Sequence, residues 1–236
     1  MNMKERLANS LLNPAYIAQY SLRRCICSYI PTLQLAGSEV LLDVGCGSRP
    51  YESIFCSRGI AKYIGIDVED SGRSPKLKKP DIFYNGDTFP LAEASVDVVL
   101  CTQVLEHVPT PAKLLSECSR VLKPGGYLLL TVPFCWEEHE TPYDYCRWSA
   151  FGLTRLIGEA DLQIVNIQRT CGAVEAMAQV LSSYVCIQIG GKAPRFISLL
   201  LRCLMFVVQF AAMIAQKVLP KGEIYLDNAV LARKGR

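Results

Sequence analysis

An α/β fold built on a mostly parallel sheet is the architecture this sequence predicts, and three observations carry it. Short apolar runs alternate with helical patterns from about residue 38 to residue 170, the rhythm of strand-helix-strand units. The run Val40–Leu42 meets Asp43, then Gly45 and Gly47, and a helical pattern opens at Tyr51 and Glu52, so a buried strand, a tight turn and a helix start follow one another. A second strand, Tyr63–Ile66, ends in Asp67, about 20 residues past the turn, where nucleotide-binding α/β folds place an acid for ribose hydroxyls.

The remaining core elements follow in order. Ile82–Tyr84 is a short third strand, closed by Asn85-Gly86-Asp87-Thr88. Ser95–Cys101 is a fourth, followed by Thr102-Gln103-Val104-Leu105-Glu106-His107-Val108. Leu122-Lys123-Pro124-Gly125-Gly126-Tyr127 reads as a helix stop and turn before a fifth strand, Leu128–Val132. The last unit is a helix over Ala150–Glu159 and a strand over Leu162–Gln168, and Glu223–Arg233 is the closing strand. Ahead of the core, residues 3–30 read as helical.

The turn at 45–50 lacks the third glycine of a dinucleotide fingerprint, and Asp43 in front of it would repel a pyrophosphate. An acid there suits a ligand with a positive centre and an ammonium group, as in S-adenosylmethionine. The ordered blocks Leu42–Gly47, Gly86-Asp87, Asp97–Val99 with Val104–His107, and Leu122–Gly126 resemble those of class I S-adenosylmethionine-dependent methyltransferases, in particular the type 11 group, over roughly residues 38–170. The resemblance implies a Rossmann-like methyltransferase sheet with its last strand antiparallel beside the fifth. Arg49 departs from it, standing where the family has a third small residue. Chemistry and resemblance together give Asp43, Gly45, Cys46 and Gly47 to the methionine side, Asp67 and Val68 to the ribose, Asp87 and Thr88 to the adenine, and Gln103 to the methionine moiety.

After the fifth strand, His139-Glu140-Thr141-Pro142-Tyr143-Asp144-Tyr145-Cys146-Arg147-Trp148 resembles a type 11 subgroup, many of them tied to bacterial polysaccharide or surface-glycan synthesis. Leaving the carboxyl end of a strand, this run should line the pocket. His139 and His107, the only histidines, are the candidate bases; Glu140, Tyr143, Asp144 and Arg147 are candidate acceptor contacts, and Asp144 and Arg147 can equally pair to fix the loop. His107 can equally order its turn through the backbone. Tyr16 and Tyr20, at i, i+4 on the leading helix, are further acceptor candidates, with packing as their competing role. The expected activity is methyl transfer to a hydroxyl of a glycan or lipid-linked sugar. The alternatives are a prenylated quinone-like ring, or a silent S-adenosylmethionine-binding protein at a membrane.

Composition sets the outer bounds. The chain has 236 residues, half of them hydrophobic, and a formal charge of +3, so nothing calls for nucleic acid. The basic run Arg73–Lys79 reads as a solvated loop. Eleven cysteines, an odd number, several of them in apolar elements (Cys101, Cys118, Cys203), read as buried reduced thiols. Cys25-x-Cys27 lacks a second ligand pair and histidine is scarce, so no metal site is expected. Lys4, Glu5 and Arg6 have no long apolar core behind them, so no signal peptide is expected and the chain is placed in the cytoplasm, at most peripheral on the inner face of the membrane.

Four segments result: an N-terminal helical cap (1–37), the cofactor-binding core (38–170), an apolar helical insert (171–222) expected near the mouth of the site, and the final strand (223–236). In the insert, Phe196–Leu219 is the most apolar stretch of the chain. Arg195, Ser198, Arg202, Gln209 and Gln216 recur at spacings of three, four, seven and seven, one narrow polar stripe on a helix. A spanning helix would not welcome Arg202 near its middle. A helix in the membrane interface, a helix packed in a homodimer, and a helix buried under the rest of the insert all fit the pattern.

Overall fold

The structure is a computed structural model and describes residues 12–71 and 77–235. Its chain divides into two compact units. One holds the described residues up to Arg24 with Cys135–Glu137 and Arg169–Asp227; the other holds Cys25–Phe134, Glu138–Gln168 and the described residues from Asn228 on.

The sheet unit is built on strands β1 (Glu39–Val44), β2 (Ile60–Val68), β3 (Ile82–Tyr84), β4 (Val96–Thr102), β5 (Leu122–Pro133), β6 (Leu162–Arg169) and β7 (Asp227–Lys234), in the spatial order β3-β2-β1-β4-β5-β7-β6. The pairs β1 with β2, β1 with β4, β2 with β3 and β4 with β5 are parallel. Strand β7 runs against β5, because the Cys135 N–H reaches Leu226 O at one end and the Gly125 N–H reaches Gly235 O at the other. The central strands are apolar on both faces for a physical reason: Leu41, Leu42 and Val44 of β1 and Val99 and Leu100 of β4 are fully buried, with side chains packed on either side.

Helices cover the two faces. On one, α1 (Tyr16–Tyr29) contributes Cys25, Ile26 and Tyr29, which pack with Phe55 of α2 (Glu52–Cys56) on Leu41, Leu100 and Leu129. On the other, α3 (Pro111–Val121) and α4 (Ala150–Gly158) bury Leu115, Cys118, Leu153 and Ile157. Pro111 begins α3 with the φ a helix needs, and the Ser149 hydroxyl caps α4 by accepting the Gly152 N–H at 3.2 Å.

The sheet unit departs from three sequence expectations. The block Leu122–Gly126 is not a turn ahead of β5. It is a bulge inside it, since Val96 pairs with Leu122 while Val98 pairs with Tyr127. The closing strand begins at Asp227 rather than Glu223. Of the basic run, Lys78 and Lys79 are described, and Lys78 is buried at 7% exposure rather than solvated. Residues 3–11 of the leading helix and 73–76 of that run lie outside the described residues.

The helical unit contains α5 (Ala173–Ser183), continued by a π-helical turn (Tyr184–Ile189), and α6 (Arg195–Ala215). Its interior is small and polar. Ala176, Ala178 and Ala212 are buried there beside Gln179, Ser182, Ser183 and Gln209. Gln209 Oε1 accepts the Ile17 N–H at 3.3 Å and Gln179 Oε1 accepts the Ala18 N–H at 3.2 Å, so two glutamines satisfy the free donors at the start of α1. The polar stripe of α6 therefore turns inward at Gln209. Burial of α6 under the rest of the insert does not hold, because only 17% of its apolar window is buried. Cys203, expected to be buried, is exposed for the same reason.

Candidate functional site

In a sheet of this order the chain leaves β1 toward β2 and β3, then returns to β4 and β5 on the other side. Ligands bind outside the carboxyl ends at such a reversal. A cleft of about 680 Å³ lies there. Its walls are residues that follow successive strands: Gly45 after β1, Asp67 to Ser71 at the end of β2, Tyr84 to Asp87 after β3, Gln103, Val104 and His107 to Thr110 after β4, and Glu140, Tyr143 and Tyr145 after β5.

The turn after β1 is shaped by backbone that only small residues tolerate. Gly45 and Gly47 have φ of 64° and 50°, and a Cβ on Gly45 would collide with the Val104 side chain. Gly47 N–H donates to Asp67 Oδ2 at 2.9 Å, and Val68 N–H donates to Asp67 Oδ1 at 2.8 Å. The turn is thus tied to the tip of β2, and Asp67, held from both sides, still borders the cleft with accepting lone pairs to spare. Lys78 stands behind it, with Nζ 3.4 Å from Asp67 Oδ1 and 2.5 Å from Val68 O. Arg49, at the place of the family's third small residue, also has a left-handed φ of 60°. Its guanidinium is held by Asp81 and Glu52, at 2.8 Å each, and lies over the Tyr63 ring.

Not every expected cofactor residue reaches the cleft. Gly45, Asp67, Val68, Asp87 and Gln103 line it. Asp43 is buried and accepts the Tyr63 hydroxyl at 2.6 Å; burial pushes its carboxyl up to about 7. Cys46 is buried, its thiol pushed up to about 12 by the same cause. Thr88 gives its N–H to Asn85 Oδ1 at 3.3 Å and does not border the cleft. Asn85, which also takes the Asp87 N–H at 3.0 Å, is a lining residue the sequence reading passed over, although an Asn-Gly-Asp turn signals such a side-chain bond. Gln103 has φ of 55° and is anchored through its N–H to Thr131 O at 2.9 Å.

At the other end, the loop after β5 is tightly organised. Arg147 grips Asp144 with both nitrogens, at 2.5 and 2.7 Å, and Asp144 Oδ2 accepts the His139 N–H at 2.9 Å. The Asp144 carboxyl is held down to about 2, chiefly by Arg147. His139 Nδ1 lies 3.3 Å from Asp144 Oδ2, and the His139 ring stands edge-on to His107 with centroids 4.7 Å apart. His107 borders the cleft, and its Nδ1 is engaged by the backbone while Nε2 has no hydrogen-bond partner among the described residues. Nδ1 is 2.8 Å from Tyr143 O, a carbonyl that can only accept, so Nδ1 carries the proton; Nε2 faces Glu106 Oε1 at 3.7 Å. Burial lowers the His107 pKa below its ordinary value. Glu106, His107 and His139 bring their ligand-capable atoms within 4.8 Å of one another, a cluster invisible as a motif because its members come from two loops. Tyr143 Oη donates to Asp70 Oδ2 at 2.9 Å and straps the β5 loop to the β2 loop. Asp144 and Arg147, candidates either for the acceptor or for fixing the loop, bond each other and are not among the residues that line the cleft. Tyr16 and Tyr20 belong to the helical unit, where their rings stack 5.9 Å apart, and they are not among the residues that line the cleft.

This cleft fits S-adenosylmethionine on the chain's own terms. Its volume is that of a small-molecule site, its lining includes a glycine turn with no room for a Cβ beside Val104, and a carboxylate fixed by the backbone, Asp67, borders it. Comparison with known proteins agrees. Residues 42–130 match the family described as "Methyltransferase domain". The chain is similar to an uncharacterized methyltransferase of Mycobacterium sp. (strain KMS), 34% identical over 133 residues, which are 52% of this chain and 48% of that protein. It is also similar to a ubiquinone biosynthesis O-methyltransferase of Leptothrix cholodnii, 36% identical over 110 residues, 42% of this chain and 45% of that protein. The matches thus span about half the length of these curated relatives or less. Among solved structures, an S-adenosylmethionine-dependent methyltransferase from Mesorhizobium loti shares the fold, with a TM-score of 0.56 at 14% identity, covering 97% of this chain and 100% of that one. Residues 42–130 accordingly match a methyltransferase domain, and the chain shares its fold with a methyltransferase that depends on S-adenosylmethionine.

Proposed function

We propose that this chain transfers a methyl group from S-adenosylmethionine to a hydroxyl of a small-molecule acceptor, a glycan or lipid-linked sugar. The observation that carries the reading is a pair of features at one cleft: the Gly45–Gly47 turn bonded to Asp67, and His107 on its lining, against whose ring the His139–Asp144–Arg147 chain packs. S-adenosylmethionine supplies, when bound, a methyl group on a positive sulfur that leaves as a neutral thioether. The protein's work is alignment, exclusion of water and removal of the acceptor proton. Gly45 and Gln103 would border the methionine portion, Asp67 and Val68 the ribose, and Asp87 with Asn85 the adenine.

His139 is the base in this reading. Asp144, kept ionised by Arg147, draws the Nδ1 proton and leaves Nε2 as the basic nitrogen, the orienting logic of His–carboxylate pairs. His107, with Nδ1 committed to Tyr143 O, holds the loop and backs the His139 ring. Glu140, Tyr143 and Tyr145, with Asp70 opposite, form the acceptor end. Their hydrogen-bonding groups suit a hydroxylated acceptor.

A second reading, a ring hydroxyl of a prenylated quinone, is favoured by the similarity to a protein named ubiquinone biosynthesis O-methyltransferase. Titration calorimetry with S-adenosylmethionine and its demethylated product, followed by methyl-transfer assays on lipid-linked sugars and prenylated catechols, tests both. His139→Ala should lose 10²- to 10⁴-fold in turnover, the range for a general base, with cofactor affinity unchanged. Failure of either ligand to bind would refute the activity altogether. Binding without turnover on any acceptor would leave a silent cofactor-binding protein.

A further inference from the structure

The helical unit is inside out for a protein surrounded by water. A surface helix ordinarily sends its large apolar residues inward and its polar residues outward. Here the seam that α5 and α6 bury is made mostly of alanine, serine and glutamine, with one large apolar residue among them: Ala176, Gln179, Ser182, Met205, Gln209 and Ala212. Gln209 Nε2 donates to Ser182 Oγ at 2.7 Å, a direct bond between the two helices. The outward faces are apolar. Phe196, Leu200, Leu204, Val207, Phe210 and Ile214 of α6 are each more than half exposed. On α5 Met177 and Leu181, and in the π turn Tyr184 and Ile187, are each about half exposed, with Gln188 the polar residue among them. Small residues and side-chain hydrogen bonds between helices, with large aliphatics outside, are what hydrocarbon surroundings demand, because lipid offers no reward for burying leucine and a penalty for exposing glutamine.

Two further features identify the occupant of that face. Helix α6 has 21 residues, hence about 31 Å of helix against a hydrocarbon thickness of about 30 Å. Between Glu175 and Glu223 the chain has no Asp or Glu at all, and its five charges, Lys192, Arg195, Arg202, Lys217 and Lys221, are all cationic. Four of them flank α6 or stand at its first residue, where anionic headgroups would meet them. Arg202, two turns in from Arg195, is half-buried, and its long stem allows the charge to reach back toward that end. A protein partner would need an apolar face but would give no reason to exclude carboxylates over 47 residues.

We propose that α5 with its π turn and α6 form a hairpin embedded in the hydrocarbon of a lipid bilayer, its cationic ends among anionic headgroups. The proposal stands independently of the methyl-transfer reading. The test uses the full chain reconstituted with phosphatidylcholine–phosphatidylglycerol vesicles. The protein should float with the vesicles and stay with them through 1 M salt and through alkaline carbonate. Release by salt alone would overturn the proposal in favour of a surface charge contact. A detergent-free soluble dimer that does not float would overturn it in favour of a second copy. Native thiols give a readout that needs no variant. Cys203 on α6 and Cys56 on α2 are both exposed, so in vesicles an impermeant maleimide should modify Cys56 and spare Cys203 by at least tenfold. Equal labelling would sink the idea. A triple variant, Leu200→Lys, Leu204→Lys and Val207→Lys, should move most of the protein to the soluble fraction with S-adenosylmethionine affinity unchanged. Full retention of that variant in the vesicles would show that this face is not the lipid contact.

Discussion

Gly45 is where a single missing atom decides whether the cleft has a floor. A Cβ there meets Val104, and φ of 64° costs an L-residue roughly 1–2 kcal/mol. Gly45→Ala should therefore weaken S-adenosylmethionine at least tenfold by calorimetry while the far-ultraviolet spectrum stays native. At the opposite wall, Asp144 is a buried carboxylate held at about 2, below its value in the unfolded chain. A depressed carboxylate stabilises the fold above its unfolded pKa of about 3.8, and that contribution fades as pH falls through about 2. Relative to Asp144→Asn, the native chain should be more stable by about 2 kcal/mol at pH 6, with the gap closing between pH 4 and pH 2 in denaturant titrations. A gap that does not change with pH would show that the Arg147 grip is not what depresses the carboxyl. These residues were legible to different degrees. The glycines and Asp67 stand in a motif with a fixed sequence spacing. Lys78 hid in a basic run because a run shows charge density, not which member turns inward to a carboxylate. The Asp144–Arg147 pair was readable as a pair, but whether it faces ligand or loop depends on neighbours from another strand.

Among the elements, β5 shows how turn chemistry and strand chemistry coexist. Leu122–Gly126 has the residues of a turn because four of them, 123–126, have no register partners in β4, yet the chain re-enters the same strand. Gly126 makes this bulge possible: a Cβ on it would lie 2.9 Å from Asp97 O and 3.0 Å from Lys123 O, both rigid backbone. Gly126→Ala should lower stability by about 1–3 kcal/mol, as forced overpacking does. Gly158, at the end of α4, has open space where its Cβ would stand, so Gly158→Ala should stabilise by about 0.5 kcal/mol. Denaturation midpoints of opposite sign for the two alanine variants are the expected result, and a harmless Gly126→Ala would mean the bulge relaxes at no cost. Helix α6 marks the limit of pattern reading at this scale. Periodicity places Arg195, Ser198, Arg202, Gln209 and Gln216 on one face, but it does not say which face is the inside. In water the polar stripe would be outside; here Gln209 is buried among Ile17, Pro14 and Ser182.

For the molecule as a whole, the parallel core was the readable part because each strand buried on both faces must be an apolar run, and each run must end in turn residues that face the ligand. The partition into a sheet unit and a helical unit was less readable, since it joins stretches far apart in sequence, Cys135–Glu137 among them. The cleft draws its lining from the ends of five strands, all within the sheet unit, so a bound ligand ties together segments from Gly45 to Tyr145. A ligand that binds only the folded state stabilises it by mass action, about 2.7 kcal/mol at a hundredfold excess over its Kd. In a chain of this size each kcal/mol moves the melting temperature by about 2–4 °C, so saturating S-adenosylmethionine should raise it by roughly 5–10 °C. The demethylated product should act in the same direction, because the ribose and adenine contacts do not involve the methyl group. Gly45→Ala should show a shift several degrees smaller at the same ligand concentration, since its affinity is lower. An unmoved transition at millimolar S-adenosylmethionine in the native protein would mean that the cleft, despite its glycine floor and fixed Asp67, does not hold the cofactor.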